Sequence, residues 1–172
     1  MDDGYDVRRG QTRTRHDVKM KLSSQEEYGL RCLLQLARQT PGESLSIPEI
    51  SRTEDISHHN VAKLLRILRQ GGLVDSARGQ HGGYTLAKPP NQIPIADAIK
   101  VLGGRLFDDS FCDHFSGDGD NCTHSLAACS VRALWGQVQQ AVDQVLAKTT
   151  LDDLLRQGHA LAREDALLEI SA

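Results

Sequence analysis

Three of the four cysteines in this 172-residue chain fall between Cys112 and Cys129, in the string C-D-H-F-S-G-D-G-D-N-C-T-H-S-L-A-A-C. The Gly, Asp, Ser and Asn around them suit a loop and cannot build an apolar core. Thiols grouped on such a loop have two main chemistries. One is ligation of a metal or iron–sulfur centre, and the other is a disulfide switch. Thiolates are soft ligands, which suit iron–sulfur clusters or zinc. A 2Fe–2S or 4Fe–4S cluster takes four ligands, so Cys112, Cys122 and Cys129 leave one position to another group. His114 and His124 lie in the same loop and are candidates for it; as surface residues of a loop they would need no ligand role. Cys32 differs: it sits among Leu30, Leu33 and Leu34 and reads as a small core residue.

A second constellation suits nucleic acid. Ser57-His58-His59-Asn60 opens a helical stretch that carries Lys63, Arg66 and Arg69 further along. In a helix-turn-helix the first residues of the second helix reach base edges in the major groove. Asn pairs bidentately with adenine, Ser and His donate to bases or phosphates, and Lys63 and Arg66 suit phosphates. Past Gly71-Gly72, Arg78, Gln80 and His81 stand among three glycines, and Tyr84 follows. A tip of this kind lets the main chain approach a DNA backbone or minor groove closely. The bland alternatives are a solvated helix face for the basic residues and capping duty for His58 and His59.

The elements that must position these residues follow from periodicity. Ser23 or Ser24 caps a first helix with Glu26 and Glu27 in its first turn and Tyr28, Leu30, Leu33, Leu34 and Ala37 as its apolar stripe. Ser46-Ile47-Pro48-Glu49 starts a short second helix reaching about Thr53. Ser57 caps a third, with Val61, Leu64, Leu65 and Leu68 as one buried face. Extended runs at 73–77 and 84–86 flank the glycine-rich tip as a hairpin. The order helix, short helix, helix, hairpin is that of a winged helix-turn-helix. A further helix spans Ile95 to Leu102. After the cysteine loop, Val131, Leu134, Trp135, Val138, Val142, Val145 and Leu146 recur at spacings of three and four, a long amphipathic helix whose seam fits a dimer interface or core.

The expected organisation is mainly α. It comprises a disordered leader (1–19), a winged helix-turn-helix domain (20–90), a linker helix and cysteine loop (91–129), a dimerisation helix (130–155) and a partly helical tail (156–172). Aromatic content is only 4 %, so the core must be built from aliphatic side chains, which favours helices. Net charge is −3 but uneven: residues 1–90 carry +3 and residues 91–172 carry −6. A basic half joined to an acidic half fits a DNA-contacting module attached to a sensor or oligomerisation module. No run is long and apolar enough for a membrane span, and the charged N-terminus lacks a secretory h-region. The expected location is the cytoplasm, where clustered cysteines more often bind metal or sense redox state than form structural disulfides.

M-K-L-S-S-Q-E-E-Y-G-L-R at Met20–Arg31 resembles the opening of the IscR/NsrR family of bacterial winged-helix regulators. So do L-R-Q-G-G-L-V-D-S-A-R-G-Q-H-G-G-Y-T-L-A-K at Leu68–Lys88 and the cysteine loop before a long helix, and the resemblance spans about Met20 to Leu155. It implies a homodimer on a near-palindromic operator in double-stranded DNA, and an iron–sulfur cluster, 2Fe–2S favoured over 4Fe–4S. It further implies control of iron–sulfur assembly or of responses to iron, nitric oxide or redox state. It also makes Glu27 a candidate fourth ligand, since some members supply a carboxylate there from the partner subunit. As a first-turn charge, Glu27 needs no such role. The C-x9-C-x6-C spacing departs from the family through its longer first gap.

No C-x-x-C pair and no Ser/His/Asp or paired-carboxylate arrangement is present, so no enzyme and no small-molecule substrate is expected. The competing readings keep the same fold. One is a cluster-free regulator with a thiol/disulfide switch, and the other is a winged helix used as a protein-interaction module.

Overall fold

The structure is a computed structural model that describes residues 23–77, 82–105 and 129–170, the last seven by backbone alone. Its helices are α1 (Ser24–Ala37), α2 (Ile47–Glu54), α3 (His58–Gln70), α4 (Ile95–Leu102), α5 (Ser130–Lys148) and α6 (Leu151–Ile170). A two-stranded antiparallel wing, β1 (Val74–Ala77) and β2 (Gly83–Leu86), follows α3, and a 3-10 turn at Pro90–Gln92 precedes α4. The fold is mainly helical with a two-stranded wing, as the residue patterns lead one to expect.

Local chemistry accounts for most boundaries. Ser23 caps α1, its hydroxyl accepting from the Glu26 N–H while the Glu26 carboxylate accepts from the Ser23 N–H at 2.6 Å. This reciprocal box satisfies two of the orphan donors of a helix start. Ser46 and Glu49 repeat it at α2. Ser57 caps α3 by accepting from the Asn60 N–H at 3.3 Å. The wing's register pairs Val74 with Leu86 and Ala77 with Gly83. An added Cβ at Gly83 would meet the Leu45 carbonyl oxygen at 2.6 Å, so only glycine lets the wing close on that residue.

The core gathers where α1, α3 and α4 meet. Leu33, Val61, Leu65, Leu68, Val74, Ala98 and Leu102 are essentially without solvent exposure. The buried face of α3 is the expected set Val61, Leu64, Leu65 and Leu68. On α1 the expected stripe shifts. Cys32, Leu33 and Leu36 are buried, whereas Tyr28, Leu30, Leu34 and Ala37 are only half-buried around them. Gly29 allows this, because a Cβ there would run into the Leu102 side chain of α4. Cys32 is the core residue its neighbours suggest.

The span expected as one helix, 130–155, is divided, and the tail expected to be partly helical is helical through Ile170 as the continuation of α6. Thr149 is extended (φ −97°, ψ 125°), and its carbonyl accepts from the Ile95 N–H at 2.8 Å. The Leu151 N–H donates to the Ile93 carbonyl at 2.9 Å. Thr150 then caps α6: its N–H and hydroxyl donate to the Asp153 carboxylate at 2.9 and 2.6 Å. Those bonds, with Arg156 beside them, hold the Asp153 carboxyl below the usual carboxylate range. The three- and four-residue apolar spacing ends at Leu146 and meets Thr149 and Thr150, so the expected bound at 155 carries the helix past its own pattern. The backbone bridge to the strand-like segment before α4 is a tertiary event.

Candidate nucleic-acid interface and thiol site

The polar face of α3 is set by burial of the opposite one. Because Val61, Leu64, Leu65 and Leu68 turn inward, Ser57, His58, His59, Asn60, Lys63, Arg66 and Arg69 are all exposed. The turn leading into α3 is fixed. Asp55 takes the left-handed conformation (φ 54°), the Ile56 N–H donates to the Ser51 carbonyl, and Ile56 is buried. The Ser51 hydroxyl donates to the Ile56 carbonyl at 2.5 Å. From α1, the Gln35 amide donates to Glu54 at the end of α2, and Arg31 lies 3.9 Å from the same carboxylate. The helix that carries the base-reading candidates is thus presented by a rigid elbow.

The wing tip, with Arg78, Gln80 and His81, lies outside the described residues. Tyr84 serves the base of the wing. Its N–H donates to the Leu45 carbonyl at 2.8 Å, its carbonyl accepts from the Leu45 N–H at 3.1 Å, and its half-buried ring packs on the core. Leu45 therefore acts as a one-residue third strand, which its isolated position between turn residues gives no periodic signal for.

Sequence periodicity also misses a cleft. Ser24, Gln25 and Tyr28 of α1 face Asn60, Lys63 and Leu64 of α3 across a cavity of about 260 Å³. The far side of the same α1 turn is locked to the end of α4. The Gln25 amide donates to the Leu102 carbonyl, and the buried Glu26 carboxylate lies where a Cβ on Gly103 would have to go.

Of the thiol candidates, Cys112, Cys122, His114 and His124 lie outside the described residues. The two described cysteines contrast sharply. Burial, with the Glu54 charge adding to it, pushes the Cys32 thiol up to about 12. At neutral pH it is neutral and enclosed, a poor ligand and a poor nucleophile. Cys129 is half-exposed and N-caps α5, its Sγ accepting from the Arg132 N–H at 3.5 Å. Glu27 is half-exposed and pairs with Arg31 at 2.8 Å, the ordinary role of a first-turn charge. Among the described residues, no group of three metal-ligating side chains is assembled.

The apolar stripe of α5 is one seam by helical phase, with one edge covered by α4 and the other left exposed. Val142 and Leu146, with Gln139, line a mostly apolar cleft against Ala96, Ile99 and Lys100 of α4. Trp135 falls on that side by helical phase. Val131, Leu134 and Val145 belong to the uncovered part of the stripe, with 56 %, 53 % and 64 % of their surface exposed, and Val138 is half-buried. Val131, Leu134, Val138 and Val145 keep the 3-4-7 spacing of a pairing seam.

Comparison with known proteins places this geometry. The Rrf2 family, described as iron-dependent transcriptional regulators, matches residues 22–157. Protein rrf2 of Nitratidesulfovibrio vulgaris is 34 % identical over 137 residues, covering 80 % of this chain and 88 % of the relative. The structure of CymR, described as the global cysteine regulator of B. subtilis, aligns at a TM-score of 0.63 and 34 % identity, covering 80 % of this chain and 97 % of that one. IscR of T. potens aligns at a TM-score of 0.65 and 28 % identity, covering 80 % and 88 % respectively.

Proposed function

This chain belongs to the Rrf2 family, and on that premise we propose that it is a homodimeric regulator whose grip on DNA depends on an iron–sulfur cluster held by its cysteine loop. That it is a DNA-binding transcription regulator of this family, and not an enzyme, is carried by the match over most of its length. Reading DNA, it works in the cytoplasm. Among the described residues no helix is long and apolar enough to cross a membrane.

One observation carries the cluster reading: what stands at the two ends of the cysteine loop. The loop leaves α4 just after Leu102–Gly103, which are keyed into the first turn of α1 beside the recognition helix. It re-enters at Cys129, the cap of α5, whose outer seam is exposed. A group ligated by Cys112, Cys122 and Cys129 would thus tie the DNA-reading module to the pairing helix. The donor set fits: three thiols on a polar loop are soft ligands, and the Arg132 N–H on the Cys129 sulfur is the kind of contact that tunes cluster potential. When bound, the cluster supplies redox-sensitive ligation. His124, His114 or Glu27 would complete its ligands, and Glu27 would have to leave Arg31 to do so.

The pairing seam supports the dimer. Burying a large aliphatic side chain contributes roughly 1.5–3 kcal/mol, and Val131, Leu134, Val138 and Val145 from two copies supply eight. A two-fold protein then presents two α3 helices to a near-palindromic operator.

The test is anaerobic preparation. The protein should be coloured and contain iron and acid-labile sulfide. Cys112→Ala, Cys122→Ala and Cys129→Ala should each lose the cluster, and Cys32→Ala should keep it. Exchanges at Glu27, His114 and His124 should single out the fourth ligand by a spectral shift. Colourless, iron-free protein with full DNA binding would overturn the cluster and favour a thiol switch.

A further inference from the structure

We propose that the cleft between α1 and α3 seats a backbone phosphate of the DNA, held by Lys63 together with the hydroxyls of Ser24 and Tyr28. The proposal rests on the DNA-reading role of α3 and adds α1 to the contact surface.

The lining is one cation, four neutral polar side chains and one apolar one: Lys63; Ser24, Gln25, Tyr28 and Asn60; and Leu64. That is a donor set for a singly charged oxyanion. Lys63 is exposed and makes no ion pair among the described residues. The carboxylates nearest in sequence are turned elsewhere. Glu26 is buried against the Ser23 N–H, Glu27 is taken by Arg31, and neither lines the cleft. The Gln25 amide is committed to the Leu102 carbonyl, so this wall is held in place by α4 rather than by solvent. Tyr28 lies with its ring 6.0 Å from the Arg31 guanidinium and packs against the core, which fixes its reach.

Position supplies the rest. Asn60 is in the first turn of α3, the part of a recognition helix that meets base edges. Lys63 follows one turn later on the same side. The major groove is about 12 Å wide and walled by phosphates on both sides. An element flanking the polar face of a helix in that groove must meet one wall. Here that element is the start of α1. Such a contact carries no base information but sets register and orientation.

The experiment uses the full chain and duplexes that the parent protein selects from a random pool, with unselected duplex as control. Lys63→Gln should weaken binding to both classes equally and flatten the salt dependence by about one unit of slope. The parent-to-variant affinity ratio should therefore shrink roughly three- to fourfold between 50 and 200 mM salt. Lys63→Arg should restore the slope. Tyr28→Phe and Ser24→Ala, which keep the packing, should weaken binding on both duplex classes without altering base preference. A neutral methylphosphonate at one backbone position should weaken the parent but cost Lys63→Gln nothing further. An unchanged slope in Lys63→Gln, or methylphosphonate losses fully additive with it at every position, would overturn the seat while leaving DNA reading intact. A parent that binds no duplex would overturn both. Loss of base preference in Asn60→Ala with no effect of Tyr28→Phe or Ser24→Ala would overturn the part assigned to α1.

Discussion

The segment from α1 to α4 and the helix α5 have similar aliphatic side chains but dispose of them oppositely. Almost every buried apolar residue of the described chain lies in the first region, where Leu33, Leu65, Leu68 and Leu102 interlock. In α5 the one buried residue is Gln139, while Val131, Leu134 and Val145 stay more than half exposed. The first region closes a core within one chain, and α5 is left half-finished. Under the proposed pairing, a second copy would cover the aliphatic residues that this helix leaves in water. The DNA module would then be a monomer's property, and reading of two half-sites an assembly's.

The largest effect that would break this contrast is on assembly. Leu134→Glu with Val145→Glu should convert a dimer into monomers, since each copy loses two seam side chains worth roughly 1.5–3 kcal/mol apiece and gains like charges. Light scattering at micromolar concentration reads the outcome. The thermal unfolding of the α1–α4 core should barely move, because neither side chain touches it. Dimers that persist would place the interface elsewhere.

The converse substitution comes next. Leu65→Ala should destabilise the DNA module by about 2–5 kcal/mol, the usual range for a buried leucine. Leu134→Ala in α5 should cost the isolated chain within about 0.5 kcal/mol. Denaturant midpoints of the two variants compare them directly.

A smaller effect sharpens the boundary between α1 and α4. Gly29→Ala forces a Cβ into Leu102, and overpacking of this kind costs roughly 1–3 kcal/mol. Gly103→Ala presses on the Glu26 carboxylate at the loop's exit. Both should lower stability, and under the proposed coupling Gly103→Ala should also alter how strongly DNA affinity responds to the cluster, measured by titration of loaded and stripped protein.

The smallest effect separates the two described thiols. At pH 8, iodoacetamide should modify half-exposed Cys129 in cluster-free protein and spare Cys32, as read by mass spectrometry. Cys32's folded value, about 12, lies above its ordinary value near 9. Its contribution to stability is therefore complete below pH 9 and declines as pH rises from about 9 to 12. Cys32→Ala should remove that part of the alkaline decline.

The sites differ in how legible they were. Capping residues are local, so Ser23, Ser46 and Ser57 announced their helices. The buried face of α3 followed from a 3-4-7 spacing that no tertiary contact had to correct. The base of the wing did not follow, because Leu45 becomes a strand partner only when Tyr84 arrives beside it. Nor did the cleft, whose α1 residues and α3 residues lie more than thirty positions apart in the chain.

Residue type and spacing alone determined the winged helix order, the outward face of α3 and the core place of Cys32, since each depends on neighbours within two turns of helix. Tertiary structure decided the backbone bridge at Thr149, how much of the α5 seam α4 covers, the locking of Leu102–Gly103 to α1 and the cleft beside Lys63. Periodicity records which residues avoid water. It does not record which surface they avoid it against, and backbone bridges such as Ile95 to Thr149 leave no mark on hydropathy at all.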